Sequence, residues 1–268
     1  MDVLTQRHLN RATLARQYLL GRVDCTPLDA VSHLAGLQAQ APQEPFTGLW
    51  SRISAFAPVD LDDLVTGRRV VRTHLMRRTV HLVTADDAVA WRARHDAMLR
   101  QRVLATYRSE LAGIDLDELR AAGRAVTAAG QPLTMAELVD ALRDRWPTPP
   151  RRVLGELLVA ALIPMAQLPP RGLWKSTAGV RNLPLAAWLQ QPVAPVSTDP
   201  DDPVGQQLVL RYLAAYGPAT TAASDRRLTI SPLRNLTRSE GRDLKAEGRA
   251  LATFLDQDID TIHIADST

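Results

Sequence analysis

The stretch Thr26–Trp50 reads TPLDAVSHLAGLQAQAPQEPFTGLW, and its two halves favour different backbone conformations. Thr26 suits a helix N-cap, and Pro27 is harmless at the first helical position because that N–H has no helical partner. A helix over residues 26–38 with one buried face is predicted by apolar residues at helical spacing, which are Leu28, Val31, Leu34 and Leu37. Pro42 disfavours the α conformation at Ala41, so the chain should be extended near residues 38–41.

Two glutamines, Gln38 and Gln40, fall in this extended segment. In extended chain, residues two apart point to the same side, and Ala39 is too small to separate them. Two carboxamides supply donors and acceptors at one point, so they can hold and orient a water molecule. They cannot act as general bases near neutral pH. The alternative is a pair of polar residues at a solvated helix end, and spacing alone favours that alternative.

The composition indicates a globular protein of one large or several small domains. The chain has 268 residues, of which 46% are hydrophobic, enough for a packed core. No apolar run approaches the roughly 18 residues of a membrane span. The N-terminal residues show no signal-peptide pattern, so we expect a cytoplasmic protein and no membrane partner.

Metal and disulfide chemistry are not expected. The single cysteine, Cys25, cannot form an intrachain disulfide and cannot support a cysteine-ligated cluster. The six histidines show no paired metal-ligand spacing. We therefore expect neither a metal nor another cofactor.

Basic charge is concentrated in one region. The whole chain carries a net charge of +3, whereas residues 68–108 contain ten arginines and three aspartates, a local balance of +7. A guanidinium meets two phosphate oxygens at once, so arginine-dominated charge suits contacts with nucleic acid. A solvated helix face in a protein from a GC-rich genome explains the pattern equally well.

The order of predicted elements is that of a winged-helix unit. Helices are predicted over residues 4–20, 26–38, from Phe46 to before Pro58, and from a cap at Asp60 to Gly67. Two β-prone runs, 69–76 and 79–84, flank Arg77 and Arg78 and predict a hairpin with a basic tip. In winged-helix units a helix enters a DNA groove and the hairpin touches the backbone.

A short pattern with Pro and Thr precedes the second predicted helix, and similar patterns return twice later in the chain. The three are Cys25-Thr26-Pro27-Leu28, Gln131-Pro132-Leu133-Thr134 and Gly217-Pro218-Ala219-Thr220. Further helices are predicted over 84–107, 115–129, 134–146, 151–167 and 204–215. The helix over 151–167 is a candidate second recognition helix. Leu173-Trp174-Lys175 is predicted to start a second wing. The predicted fold is mainly α with short β-hairpins, in tandem winged-helix units that form a concave DNA-binding surface. The division is 1–112 for the first unit, 113–191 for the second, and 192–268 for a linker, an incomplete third unit and a C-terminal helix.

The third unit, which opens at residues 217–222, has no room for a recognition helix and wing before the helix predicted over 237–255. Two interpretations stay open. The chain is naturally abridged here, or residues near 222–225 join two pieces whose connecting segment is absent from this sequence.

Several motifs together resemble one family. They are L-Q-A-Q-A-P at residues 37–42, the block RTHLMRRTVHLV at 72–83, the run at 5–17, and Gly172-Leu173-Trp174. In this order they resemble the AlkZ-type bacterial DNA glycosylases, relatives of YcaQ. These are winged-helix enzymes that remove alkylated purines and unhook crosslinks. The short Q-x-Q tripeptide carries no weight without the other blocks.

The resemblance implies roles for particular residues. Gln38 and Gln40 would be catalytic, binding the attacking water and the sugar of the damaged nucleotide. Contacts with DNA are expected from Arg77, Arg78, Thr79 and His81, and weaker candidates for such contacts are Arg72, Trp174 and Lys175. A hydrogen-bonded brace of the hairpin is an equally good interpretation of His81, and Thr79 suits a residue that holds the turn. Trp50 and Trp188 are predicted to lie in the core.

Three functions follow, in order of preference. The first is a monofunctional DNA glycosylase acting as a monomer on duplex DNA with N7- or N3-alkylated purines or crosslinks. The resemblance extends it to unhooking crosslinks and to self-resistance against a DNA-alkylating natural product. The second is a non-catalytic winged-helix DNA-binding regulator, in which the glutamines are incidental. The third is a scavenger of a DNA-damaging small molecule, which requires an apolar pocket.

Overall fold

A computed structural model describes residues 5–196, 198–199 and 202–217. The helices in this part of the chain are α1 (Gln6–Arg16), α2 (Pro27–His33), α3 (Glu44–Trp50), α4 (Pro58–Thr66), α5 (Ala85–Trp91), α6 (Asp96–Thr106), α7 (Leu116–Thr127), α8 (Met135–Asp140), α9 (Arg151–Glu156), α10 (Leu185–Leu189) and α11 (Pro203–Tyr216). A π-helical segment, Leu157–Leu162, continues α9. None of the described helices is long and apolar enough to cross a membrane.

Five short strands form one antiparallel sheet. They are β1 (Leu37–Gln38), β2 (Val70–His74), β3 (Val80–Thr84), β4 (Met165–Gln167) and β5 (Asn182–Pro184), in the order β1-β3-β2-β4-β5. The hairpin β2–β3 is at the centre, and β2 also pairs with β4, Arg72 opposite Gln167. Strands from either side of residue 112 therefore hydrogen-bond in a single sheet, and the two predicted winged-helix units are joined through it.

The central strands are buried on both faces because their alternate residues pack against different helices. Val70, Val80 and Leu82 pack with residues of α2, α3 and α4. Their neighbours Val71 and Val83 pack with residues of α5, α10 and α11. We call these the α3 face and the α11 face. This double burial explains why β2 and β3 are almost continuously apolar rather than alternating.

A third apolar cluster lies in the second half of the chain, where α6, α7, α8 and α9 surround the π-helical segment. All six residues of Leu157–Leu162 are buried. The helix predicted over 151–167 thus ends before Pro164, and its second half is a core helix rather than one that could lie in a DNA groove.

Several helix caps and the hairpin form where the sequence predicts them. Thr26, Thr84 and Thr134 each accept a hydrogen bond from the backbone N–H three residues ahead, as expected for helix caps. The hairpin forms over the predicted residues, with a basic tip. Asp60 differs, because it is the third residue of α4 and its carboxylate accepts a hydrogen bond of 2.9 Å from the backbone N–H of Ala57.

Element ends depart further from the expectations. Helix α2 ends at His33, five residues before its predicted end at 38, and the helix predicted over 84–107 is broken into α5 and α6 by a 3₁₀ turn. Residues 173–175 do not start a strand, and lie in the loop between β4 and β5. The core prediction for Trp50 is wrong, since this side chain at the last residue of α3 is 56% exposed. Trp188 is half-buried against the α11 face.

The helix predicted over 237–255 and the rest of the third unit beyond Gly217 lie outside the described residues.

Candidate functional site

The glutamine segment is extended, as the sequence predicts. Ala35 and Gly36 turn the chain with positive φ angles of 51° and 94°. A Cβ on Gly36 would lie 2.5 Å from Val83 Cγ1, so only glycine allows this close approach to β3. Strand β1 then pairs with β3, Gln38 opposite His81. The end of α2 and this tight turn together place the glutamines at the edge of the sheet.

The alternation of the strand brings the two glutamines to the surface. Ala39 is completely buried on the α3 face, and its N–H donates a 2.8 Å hydrogen bond to the carbonyl oxygen of Val80. Gln38 and Gln40 on either side of it are exposed. They are neither inside a helix nor buried, which is the arrangement that the water-holding hypothesis needs.

Both carboxamide oxygens are held by the hairpin. Arg77 Nη2 donates to Gln38 Oε1 at 2.9 Å, and the backbone N–H of Val80 donates to Gln40 Oε1 at 3.1 Å. A carbonyl oxygen has two lone pairs, so each oxygen keeps one acceptor position, and each amide keeps its N–H groups. The hairpin thus fixes the orientation of both amides, a condition for ordering a water molecule in front of them.

The hairpin tip has a strained, defined shape. Arg77 and Arg78 both have positive φ angles, 57° and 63°. Thr79 Oγ1 donates to the carbonyl oxygen of Met76 at 3.1 Å, so Thr79 holds the turn. Arg77 is exposed, whereas Arg78 is half-buried with Nη1 3.5 Å from Glu156 Oε2. Of the two tip arginines, Arg77 is the better placed to reach a phosphate.

Arg72 is a correction to the predicted DNA contacts. Its side chain is only 2% exposed, and Nη2 donates to the carbonyl oxygen of Ala39 at 2.9 Å and to Gln167 Oε1 at 3.2 Å. Burial, with Arg171 nearby, lowers the pKa of Arg72 to about 10, so it stays charged at pH 7. We therefore withdraw Arg72 as a DNA contact, since it anchors the backbone between the two glutamines.

His81 is a second correction, because it is 4% exposed and cannot lie on an outer DNA-binding surface. Its Nδ1 is 3.0 Å from the carbonyl oxygen of Thr79. Burial and the nearby charge of Arg77 together lower the pKa of His81 to about 4, against the opposing effect of the hydrogen bond to the Thr79 carbonyl. The imidazole is therefore neutral at pH 7.

A cavity of about 90 Å³ lies on the α11 face beside Gln38. Its lining comes from the turn into β1, the hairpin and α11, and consists of Ala35, Gly36, Gln38, Met76, Arg77, His81, Tyr212 and Tyr216. The two tyrosine rings stack with centroids 5.2 Å apart, and the Tyr216 hydroxyl donates to the Leu34 carbonyl at 3.2 Å. We call this the glutamine cavity.

The loop between β4 and β5 is attached beside the same segment. Gln43 Nε2 donates to the Leu173 carbonyl at 2.9 Å, and its Oε1 accepts from the Lys175 N–H at 3.0 Å. Asp62 Oδ1 accepts from the Trp174 N–H at 2.8 Å. These bonds leave the side chains of Trp174 and Lys175 exposed. Both stay candidates for DNA contact.

An aromatic recess of about 430 Å³ opens next to this loop. Its lining is Phe46, Thr47, Trp50, Phe56, Pro58 and Trp174. The rings of Phe46 and Trp174 are 5.0 Å apart, and Arg22 lies over the Trp50 ring at 4.1 Å. The exposure of Trp50 thus has a structural context that the helical spacing did not indicate.

Two groups of site residues were missed from the sequence. Gln43 gives no signal except its position three residues after Gln40. Tyr212 and Tyr216 lie four apart on α11, a spacing that indicates one helix face but not that this face lines a cavity with Gln38, about 170 residues earlier. Within the described residues, no group of three histidine, cysteine or carboxylate side chains is arranged to hold a metal ion.

Comparison with known proteins agrees with the motifs. A family model described as DNA glycosylase AlkZ-like matches residues 31–225. Among solved structures, the DNA glycosylase AlkZ of Streptomyces sahachiroi is similar, with a TM-score of 0.67 and 23% sequence identity over 90% of this chain. This chain spans 66% of the length of that structure. No curated protein matches the sequence significantly.

Proposed function

The chain belongs to the AlkZ-like DNA glycosylase family, and we propose that it hydrolyses the N-glycosidic bond of N7- or N3-alkylated purines in duplex DNA, with Gln38 and Gln40 as the catalytic residues. The observation that carries this proposal is the exposed glutamine pair, oriented by hydrogen bonds from Arg77 and from the Val80 backbone. The enzyme is proposed to be a monofunctional glycosylase and a monomer.

The chemistry suits weak catalytic groups. An N7- or N3-alkylated purine already carries a positive charge, so it leaves as a neutral base without a general acid. The sugar develops oxocarbenium character as the bond lengthens. Two carboxamides can then place the water and direct a lone pair towards the growing positive charge. Undamaged purines lack the activated leaving group and survive, so the weakness of the groups is a source of selectivity.

DNA binding is proposed to use the exposed cationic groups around the glutamines. Arg77 is an exposed cation at the hairpin tip and Lys175 is one on the attached loop, where Trp174 is next to it. Arg78 and Thr79 shape the tip on which Arg77 is carried. The hairpin in this arrangement supports the winged-helix interpretation, in which the wing touches the DNA backbone. Crosslink unhooking and self-resistance are extensions of the same proposal.

The test is release of 7-methylguanine from duplex DNA under single-turnover conditions, after subtraction of spontaneous depurination. We expect the Gln38→Ala/Gln40→Ala double variant to be slower by about 100-fold or more, since each amide orders the same water. Gln101→Ala, an exposed glutamine on α6, is the matched control and should keep the parent rate.

DNA affinity must be measured in parallel, by anisotropy at fixed salt. Release by the parent with loss in the double variant at unchanged affinity supports the catalytic assignment. If the parent binds DNA and releases neither 7-methylguanine nor 3-methyladenine above background, the glycosylase proposal is wrong. The non-catalytic DNA-binding protein then becomes the better interpretation.

A further inference from the structure

His81 lies directly across the sheet from Gln38. The two residues are Cα partners in the β1–β3 pair. Cross-strand partners carry their side chains on the same side of a sheet, with Cβ atoms about 5 Å apart. Both side chains line the glutamine cavity, so the imidazole and the Gln38 carboxamide share one small volume.

The hydrogen bond to Thr79 determines which imidazole nitrogen carries the proton. A carbonyl oxygen can only accept, and the Thr79 carbonyl is 3.0 Å from His81 Nδ1. Nδ1 therefore carries the hydrogen in the neutral ring, and Nε2 is left with a lone pair. In the described part of the chain, no side chain or backbone group donates a hydrogen bond to Nε2. The ring thus contributes an acceptor to a cavity that also contains the Gln38 amide.

The cavity has the size and polarity of a water site. A volume of about 90 Å³ is enough to admit water, since a site for one water molecule needs roughly 10–15 Å³. A buried water needs two to four polar partners, and Gln38, Arg77 and His81 supply them here. The remaining walls offer a water no charged partner, and they come from Ala35, Gly36, Met76, Tyr212 and Tyr216.

We propose that His81 is a third catalytic residue: its Nε2 accepts a hydrogen bond from the attacking water, which Gln38 orients from the opposite strand. This inference rests on the proposed glycosylase function. It replaces the DNA contact predicted for His81, and it gives the reaction the acceptor that two amides, already bonded to hairpin donors, supply only in part.

The proposed step hydrolyses the N-glycosidic bond with one water molecule. The water oxygen forms a bond to C1′, and the C1′–N bond breaks with its electron pair going to the purine, which leaves neutral because the alkylated base was a cation. The water loses one proton, which His81 Nε2 accepts and then releases to solvent. The products are the abasic sugar with a C1′ hydroxyl, the free alkylated base and one proton.

A weak base is sufficient for this proton. Water adding to an oxocarbenium-like carbon becomes strongly acidic as the new bond forms, so even a weakly basic imidazole can accept its proton late in the step. Burial keeps the ring weakly basic, and the charge of Arg77 beside it acts in the same direction. Neutral Nε2 also holds no charge that would repel a cationic purine.

A structural role for His81 can be separated from this one with two substitutions. In His81→Asn the amide N–H2 replaces Nδ1 and can still donate to the Thr79 carbonyl, but nothing replaces Nε2. In His81→Gln the longer amide places an acceptor oxygen near the Nε2 position and loses the bond to Thr79. The matched control is His95→Asn, because His95 is equally buried and its Nδ1 bonds the Trp91 carbonyl at 2.9 Å outside the cavity.

The experiment measures single-turnover release of 7-methylguanine, DNA affinity and melting temperature for the parent and the three variants. We expect His81→Asn to be slower by about 100-fold at unchanged DNA affinity, and His81→Gln to stay within about tenfold of the parent. His95→Asn should keep the parent rate at a temperature well below its melting point.

Three results would overturn the inference. In the first, His81→Asn keeps the parent rate, which makes the imidazole a brace or a bystander. In the second, both His81 variants lose rate in proportion to a fall in melting temperature. In the third, the parent releases no alkylated base at all, which removes the proposed function together with this inference. In the first two the parent still cleaves, so the failure belongs to His81 alone.

Discussion

The hairpin β2–β3 holds the glutamine segment at two places, its base and its tip, which differ in burial and in the kind of group that is bound. At its base, Arg72 is 2% exposed and bonds a backbone atom, the Ala39 carbonyl. At its tip, Arg77 is exposed and bonds a side chain, Gln38. The base therefore fixes where the segment lies, and the tip fixes how one amide is turned. Residues at the base should govern stability, and residues at the tip should govern activity and DNA affinity.

The largest expected effect is on acid stability, through His74 and His81 of the hairpin and His95 of the 3₁₀ turn after α5. Burial lowers the pKa of all three to about 4, whereas they titrate near 6.5 in the unfolded chain. The unfolded state then binds more protons between these values, so stability is complete above about pH 6.5 and is lost as the pH falls towards 4. We expect the melting temperature to fall by about 10 °C between pH 7 and pH 5.

Calorimetry at both pH values measures that fall, and His95→Asn is the informative variant because it removes one of the three groups. The fall should be about two thirds as large in this variant. An unchanged pH dependence would mean that other groups control acid unfolding.

The next effect is that of Arg72→Ala. This change removes the donor to Ala39 and Gln167 and leaves a cavity, so we expect a loss of about 3 kcal/mol in the free energy of unfolding. Arg77→Ala, at the exposed tip, should lose less than about 0.5 kcal/mol. Urea denaturation measures both. Equal losses in the two variants would show that base and tip are not mechanically distinct.

A smaller effect tests how tightly Arg72 is enclosed. Gly172 has φ of 92°, and a Cβ there would lie 2.6 Å from Arg72 Cδ. Gly113 also has a positive φ, 79°, but with nothing within 4 Å of a Cβ. Gly113→Ala should therefore lower the free energy of unfolding by about 1 kcal/mol, because of backbone strain alone. Gly172→Ala should lower it by about 2 kcal/mol or more.

The difference between these two alanine variants in the free energy of unfolding measures the steric effect of the contact with Arg72. It should disappear when Arg72→Ala is combined with Gly172→Ala, because the two residues share one space. Additive losses in the double variant would mean that the close approach is not a real constraint.

The smallest expected effect concerns DNA affinity at the tip. Arg77→Ala should weaken binding to duplex DNA about threefold at 0.15 M salt and reduce the salt slope of the affinity by about one, the loss of one phosphate contact. Arg72→Lys should leave the slope unchanged, since a buried cation displaces no phosphate counterion. A reduced slope for Arg72→Lys would restore Arg72 as a DNA contact.

The same contrast explains what could be predicted from the sequence. The extended glutamine segment follows from Pro42 and the hairpin from its two β-prone runs, so local rules were sufficient for both. The burial of Arg72 was not predictable, because its partners Ala39 and Gln167 are fixed by pairing between distant strands. For the same reason the spacing of His81 did not show that it lines one cavity with Gln38.

Aromatic positions show a second reason for the errors. Trp50 has the spacing of a core residue, but α3 ends at Trp50 and the core is already filled by Phe46 and Leu49. Helical periodicity gives the direction of a side chain only while the helix continues. At the last residue of a helix, the packing of neighbouring loops determines whether the side chain is buried. Here the β4–β5 loop brings Trp174 to the recess that Trp50 lines.

The pairing of β2 with β4 has a consequence for synthesis. The glutamine segment is complete in the nascent chain once residue 84 has emerged, yet Gln167 and the loop that covers Arg72 are made more than 80 residues later. A ribosome-bound chain can form the local hairpin early, while the buried charge of Arg72 gains Gln167 only after β4 has emerged and paired with β2. The glutamine segment therefore acquires its full set of supporting contacts in two stages, first within the hairpin and later through β4.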